Sequence, residues 1–151
     1  MTTTPYRTRN QSITTWALRL VVAAGLVADA VIHLRLAGEY QFAFPEGIGG
    51  GTLFRLQAGV ALAAAAAVLM WGRRPIYWFA FLVAISAFIA VVAARYVQLP
   101  AVGPLPSMYE PLWFFEKSLS AVAEAGAALA SVLLLLVSST THQRRTEAAS
   151  K

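Results

Sequence analysis

Residues Trp16 to Tyr40 read WALRLVVAAGLVADAVIHLRLAGEY. About 20 apolar residues at ~1.5 Å rise per residue cross a ~30 Å hydrocarbon core, so this stretch is long enough to span a bilayer. Its second half nevertheless carries Asp29, His33 and Arg35, with Glu39 and Tyr40 following directly. Asp29 and His33 stand four apart and so share one helix face, and Tyr40 falls near the same stripe. An ionisable group at that depth is costly unless it is paired or faces water, so these side chains are expected to point into a bundle.

Outward from this stretch, the chain of 151 residues is 58% hydrophobic and 13% charged, with a mean hydropathy of +0.62, and its apolar residues fall in four long blocks. That pattern reads as a multi-pass membrane protein rather than a soluble domain. There is no cysteine, which excludes disulfides, iron–sulfur clusters and thiolate metal sites. The net charge of +5 does not point to nucleic acid, because the basic residues sit at the block ends, where membrane insertion accounts for them.

Residues 1–15 are polar and Thr-rich and read as a cytosolic tail. The small-residue triplet Ala28-Asp29-Ala30 resembles a signal-peptide cleavage site, but the apolar run continues past it to Leu36. The first span is therefore expected at 16–37, with Arg19 reaching back to the cytosolic interface. The loop EYQFAFPEGIGGG ends that helix with Pro45 and four glycines. The second span, 52–71, carries Arg55 and Gln57 near its start. Its Gly59, Ala63 and Ala67 are four apart, a small-residue ridge expected to pack against another helix. Gly72-Arg73-Arg74-Pro75 makes a basic turn into the third span, 76–97, which ends on Arg95 and Tyr96. The loop LPAVGPLPSMYEP, with four prolines, precedes the fourth span, 112–137, and residues 138–151 form a second polar tail.

Four spans put both termini on one side. That side carries Arg7, Arg9, Arg19, Arg73, Arg74, Arg144, Arg145 and Lys151 against Glu147 alone. The other carries Arg35, Arg55, Arg95 and Lys117 against Asp29, Glu39, Glu46, Glu110, Glu116 and Glu124. Eight basic residues against four make the termini cytosolic by the positive-inside rule. The expected fold is an all-α, four-helix transmembrane bundle in the bacterial cytoplasmic membrane.

The opposite side gathers the candidate site. Asp29 lies roughly 12 Å and Glu124 roughly 18 Å from the outer end of its helix at 1.5 Å per residue. Lys117, Ser120 and Glu124 share a face of the fourth span. Antiparallel spans can bring Asp29, His33, Arg55, Arg95, Glu116, Lys117 and Glu124 into one outward-facing pocket, with Tyr40 and Tyr96 at its rim. Asp29 and His33 read as a structural hydrogen-bonded pair, as part of a metal site with Glu124 or Glu116, or, with His33, Tyr40, Arg95 and Tyr96, as polar anchors for a quinone or other amphipathic molecule. Two-histidine haem ligation is ruled out by the placement of His142, the only other histidine, in the tail. Glu124 reads as a protonated or serine-bonded acid that packs its helix, or as a proton-relay or ligand group. Neither interrupted helices nor repeats mark a transporter.

GIGGG follows a loop rather than a strand and is not followed by Lys-Ser or Lys-Thr, so it is no phosphate cradle. A nucleophile elbow, an HExxH motif and a catalytic triad are likewise absent. Catalysis by this chain on its own is not expected.

In length, in its four spans with cytosolic ends, and in polar residues clustered on one side, the chain resembles the DoxX-like group of small bacterial membrane proteins. Segments such as GTLFRLQAG, RYVQLP and GPLPSMYEPLWFFEKSLS also resemble small membrane proteins common in actinobacteria. The resemblance covers the spans and transfers no site residues. It implies a setting of membrane oxidoreductases or quinone chemistry. Two functions are thus expected: an accessory subunit of a larger oxidoreductase or respiratory membrane complex, in contact with lipid and other membrane subunits, or an independent protein holding a quinone, lipid or metal ion.

Overall fold

The computed structural model describes residues 6–41, 48–98, 100 and 109–149, with side chains described between residues 13 and 139 of those. Four helices follow one another: α1 (Tyr6–Glu39), α2 (Gly50–Trp71), α3 (Arg74–Tyr96) and α4 (Phe115–Ala149). Each contains a segment long and apolar enough to cross a membrane, Ile13–Glu39, Gly50–Trp71, Arg74–Tyr96 and Phe115–Ser139. The chain is an all-α, multi-pass membrane protein.

Helices α1 and α4 run further than the expected spans. α1 begins at Tyr6, inside the segment read as a tail, and α4 continues to Ala149. Neither Pro nor Gly stands between Tyr6 and Gly25, or between Gly126 and Ala149, and a helix once nucleated propagates through polar residues at little cost. α4 starts three residues later than expected, with the Phe114 carbonyl accepting from Ser118 N at 3.0 Å.

The helices form a ring in which α1 packs on α2 and α4, and α3 on α4 and α2. Small residues line the interior: Ala58, Ala61, Ala64 and Ala65 on α2, Ala80 and Ala84 on α3, and Ala127, Ala128 and Ala130 on α4, around Val22, Leu26 and Leu134. The bulky residues Leu20, Met70, Leu82, Ile89, Leu129 and Leu136 point outward. Lipid is as apolar as leucine, so burying large side chains gains little there, whereas small residues let backbones approach closely.

The face of α2 that packs is set one residue away from the expected ridge. Gly59 and Ala63 are exposed, and a Cβ added to Gly59 would meet nothing within 4 Å. Ala58, Ala61 and Ala65 turn inward instead. The four-residue spacing of Gly59, Ala63 and Ala67 defines a stripe but not the direction in which it points.

Two glycines fix how the helices meet. A Cβ on Gly25 would lie 2.9 Å from the Ala123 carbonyl oxygen and 3.1 Å from Ala127 Cβ, so only glycine permits this α1–α4 crossing. Gly72 closes α2 in the left-handed conformation (φ 51°, ψ 41°), which glycine adopts without a steric penalty. The Arg19 guanidinium lies against it, with its Cζ 2.7 Å from where a Gly72 Cβ would be. Nε of Arg19 donates to the Val68 carbonyl at 2.8 Å and Nη2 donates to the Leu69 carbonyl. An arginine of α1 thus caps α2, placing positive charge where the α2 dipole is negative. The Trp16 ring covers the same guanidinium at 4.1 Å.

Candidate functional site

The Gly25 crossing sets the register of α1 against α4. One turn further along α1, Asp29 meets the α4 face that carries Ser120 and Glu124. The Ser120 hydroxyl stands 3.0 Å from Asp29 Oδ1 and 2.9 Å from Glu124 Oε1. On α1 itself, His33 Nδ1 lies 2.8 Å from Asp29 Oδ1 and 3.0 Å from the Asp29 carbonyl oxygen, the contacts that four-residue spacing allows. From α2, Gln57 Nε2 donates to Asp29 Oδ2 at 3.2 Å. Asp29 and Glu124 are each 1% exposed and Ser120 2%.

A proton count shows what this knot lacks. Ser120 has one hydroxyl hydrogen and two carboxyl neighbours. It can donate to one of them, and the other contact needs a proton or cation of its own. Glu124 Oε2 is buried without a hydrogen-bond partner among the described residues. Asp29, His33 and Glu124 each bring a ligand-capable atom to within 4.8 Å of the other two.

Beside the knot lies a cavity of about 370 Å³, bounded by all four helices. Leu36, Leu53, Phe54, Ala87, Ala90, Val91 and Phe114 make most of its wall apolar, and the polar residues His33, Gln57, Lys117 and Ser120 also line it. Phe54 holds the imidazole edge-on, with ring centroids 5.3 Å apart, and packs against Tyr40 at 5.1 Å. At the loop end, Tyr40 Oη donates to Glu110 Oε2 at 2.9 Å, and Lys117 Nζ donates to the Glu110 carbonyl at 2.6 Å. Glu110 N in turn donates to the Ala94 carbonyl at 2.8 Å. Glu110 thereby ties the α3–α4 connection to α1 and α4. Partial burial and the Glu110 carboxylate push the Tyr40 hydroxyl up to about 12.

Of the residues expected to converge, Asp29, His33 and Glu124 form the knot, and Tyr40 and Lys117 line the cavity with His33. Arg55 is exposed and donates to Gln41 Oε1 at 2.6 Å. Arg95 stacks on the Tyr96 ring at 5.1 Å, its Nε buried without a hydrogen-bond partner among the described residues, and Tyr96 itself is 67% exposed. Glu116 is half-buried and does not line the cavity. Sequence reading gave no role to Gln57 or Glu110. A glutamine about two helical turns inside an apolar span was the available signal for Gln57, because an amide there needs partners. Besides Lys117, the contact partners of Glu110 lie at Tyr40, 70 positions away, and in the α3 backbone, and nothing local announces those two.

No family model, curated protein or solved structure matches this chain. The arrangement is a buried carboxylate–imidazole–carboxylate knot against an apolar cavity within a membrane-type bundle.

Proposed function

We propose that this chain is a bacterial cytoplasmic-membrane binding protein whose interhelical cavity holds an amphipathic small molecule with a hydrogen-bonding head group of the quinone class. One observation carries the reading: an apolar cavity of about 370 Å³ is also lined by His33, Gln57, Lys117 and Ser120. Ligand sites of roughly 300–1,000 Å³ have this character, with greasy walls and a few placed polar groups that orient the guest. Lys117 and Gln57 are donors suited to ring carbonyl oxygens, and Ala87, Ala90 and Ala94 of α3 line the cavity with small side chains that leave room for a ring. The DoxX-like resemblance supports the redox class of guest.

The test is direct titration of the chain in nanodiscs with decyl-ubiquinone and with a short-chain naphthoquinone. Ala90→Phe narrows the cavity without touching the polar groups. Saturable binding by the wild type that Ala90→Phe abolishes supports the reading. Equal partitioning of both proteins' lipid discs would overturn it.

The accessory-subunit reading is favoured by a different observation. Gly59 and Ala63 leave a small-residue stripe open on the outer face of α2, where a neighbouring membrane helix can approach. Under that reading, Gly59→Leu releases the chain from a larger oxidoreductase assembly while leaving its own fold intact.

A further inference from the structure

We infer that Asp29, His33 and Glu124 form a binding site for a first-row divalent cation. Three donors on two helices, all buried, offer one imidazole nitrogen and two carboxylate oxygens within 4.8 Å of one another. Ligands of a zinc- or manganese-type ion sit ~2.0–2.2 Å from it, so small side-chain rotations bring these atoms to coordinating distance. The inference stands whether or not a molecule occupies the neighbouring cavity.

Two further observations point to a cation. Glu124 is 1% exposed, yet its Oε2 has no hydrogen-bond partner among the described residues. Ser120 faces Asp29 Oδ1 and Glu124 Oε1 at 3.0 and 2.9 Å with a single hydrogen to give. A cation between the two acids supplies what the contact left without that hydrogen and the orphaned Oε2 lack. Charge agrees as well, since two carboxylates, a neutral imidazole and a divalent ion sum to zero in a setting where net charge is costly. Mixed nitrogen and carboxylate donors suit zinc, manganese or iron, whereas calcium and magnesium prefer oxygen-only shells with more ligands. Gln57, which donates to Asp29 Oδ2, and Ser120 then act as positioning residues that aim the carboxylates.

The experiment uses the full chain carrying a tag without histidines, purified in detergent without chelators. Elemental analysis reads its native metal. After chelator treatment, Co²⁺ titration reads the site through ligand-field absorption, and Zn²⁺ and Mn²⁺ compete. The wild type is expected to bind one equivalent and to gain thermal stability with it. Glu124→Gln and Asp29→Asn, which keep the shape and part of the hydrogen bonding, are expected to lose that equivalent, while His142→Ala keeps it. A wild type that binds no equivalent of any of the three ions overturns the inference on its own, without recourse to the variants. Retention of the equivalent by Glu124→Gln overturns it too.

Discussion

Ser120 of α4 reaches Asp29 of α1 at 3.0 Å across 91 positions of sequence, and this contact joins the bundle at its most polar point. It holds because Gly25, one turn earlier on α1, lets α4 come close. Removing the hydroxyl leaves two buried carboxyl groups without their common neighbour. Ser120→Ala is expected to cost about 1–3 kcal/mol, the range for an orphaned buried polar group, read from unfolding in detergent. A melting profile equal to wild type would mean that the two acids do not depend on the serine.

Asp29 accepts from Gln57 and meets both His33 and Ser120. Asp29→Ala removes a carboxylate partner from each of the three and is expected to cost about 3–5 kcal/mol, as for a broken buried pair. Asp29→Asn, which preserves shape and some of the bonds, should cost clearly less. Equal losses in the two variants would show that packing, not polar pairing, matters at this position.

The two glycines of the inner and outer faces make opposite predictions. Gly25→Ala drives a methyl into the Ala123 carbonyl at 2.9 Å and is expected to destabilise by about 1–3 kcal/mol, the overpacking range. Gly59→Leu adds bulk where nothing lies within 4 Å, and the isolated chain should keep its stability within about 0.5 kcal/mol. Thermal unfolding of the two variants side by side decides. A destabilised Gly59→Leu chain would contradict the orientation of α2.

Arg19 caps α2 through two carbonyls. Arg19→Ala should fray the last turn of α2, and hydrogen exchange at Leu69, Met70 and Trp71 is the readout. Arg19→Lys keeps the charge but not the forked geometry, so partial protection is expected.

Tyr40 gives a pH signature. Its hydroxyl is pushed from 10.0 up to about 12 in the fold, so the folded state holds this proton more tightly than the unfolded chain. The contribution is complete below pH 10 and is lost as pH rises from 10 towards 12. Tyr40→Phe should flatten that part of the stability profile; an unchanged alkaline slope would show that the Tyr40–Glu110 bond is not linked to folding.

The absence of cysteine makes the orientation testable with single substitutions. With the termini cytosolic, Arg73→Cys is expected to react with an impermeant thiol reagent only from the cytosolic side and Gln98→Cys only from the other. The reverse pattern would overturn the reading of the charge bias.

Much of this was legible in the sequence because hydropathy and helical spacing are local. The four apolar blocks gave the four helices, and the Asp29–His33 spacing placed both groups on one face. Lys117, Ser120 and Glu124 followed by the same rule on α4. What spacing cannot supply is the rotation of one helix against its neighbours. That rotation turned Gly59 outward and Gly25 inward, although Gly59 sits in the more conspicuous small-residue run. Arginine adds a second ambiguity. Its long stem lets the charge leave the bundle, as Arg55 does, or cross to another helix, as Arg19 does. α1 and α4 run past the expected spans where polar residues continue a helix without a breaker, back to Tyr6 and beyond Val137.

The most direct test of the cavity reading is native mass spectrometry of the chain released gently from its own membrane, beside Ala90→Phe prepared identically. The expected result is a wild-type chain carrying a discrete, non-covalent apolar small molecule that the Ala90→Phe chain lacks. A bare wild-type chain, or one found only within a larger stoichiometric complex and free of small molecules, would contradict it.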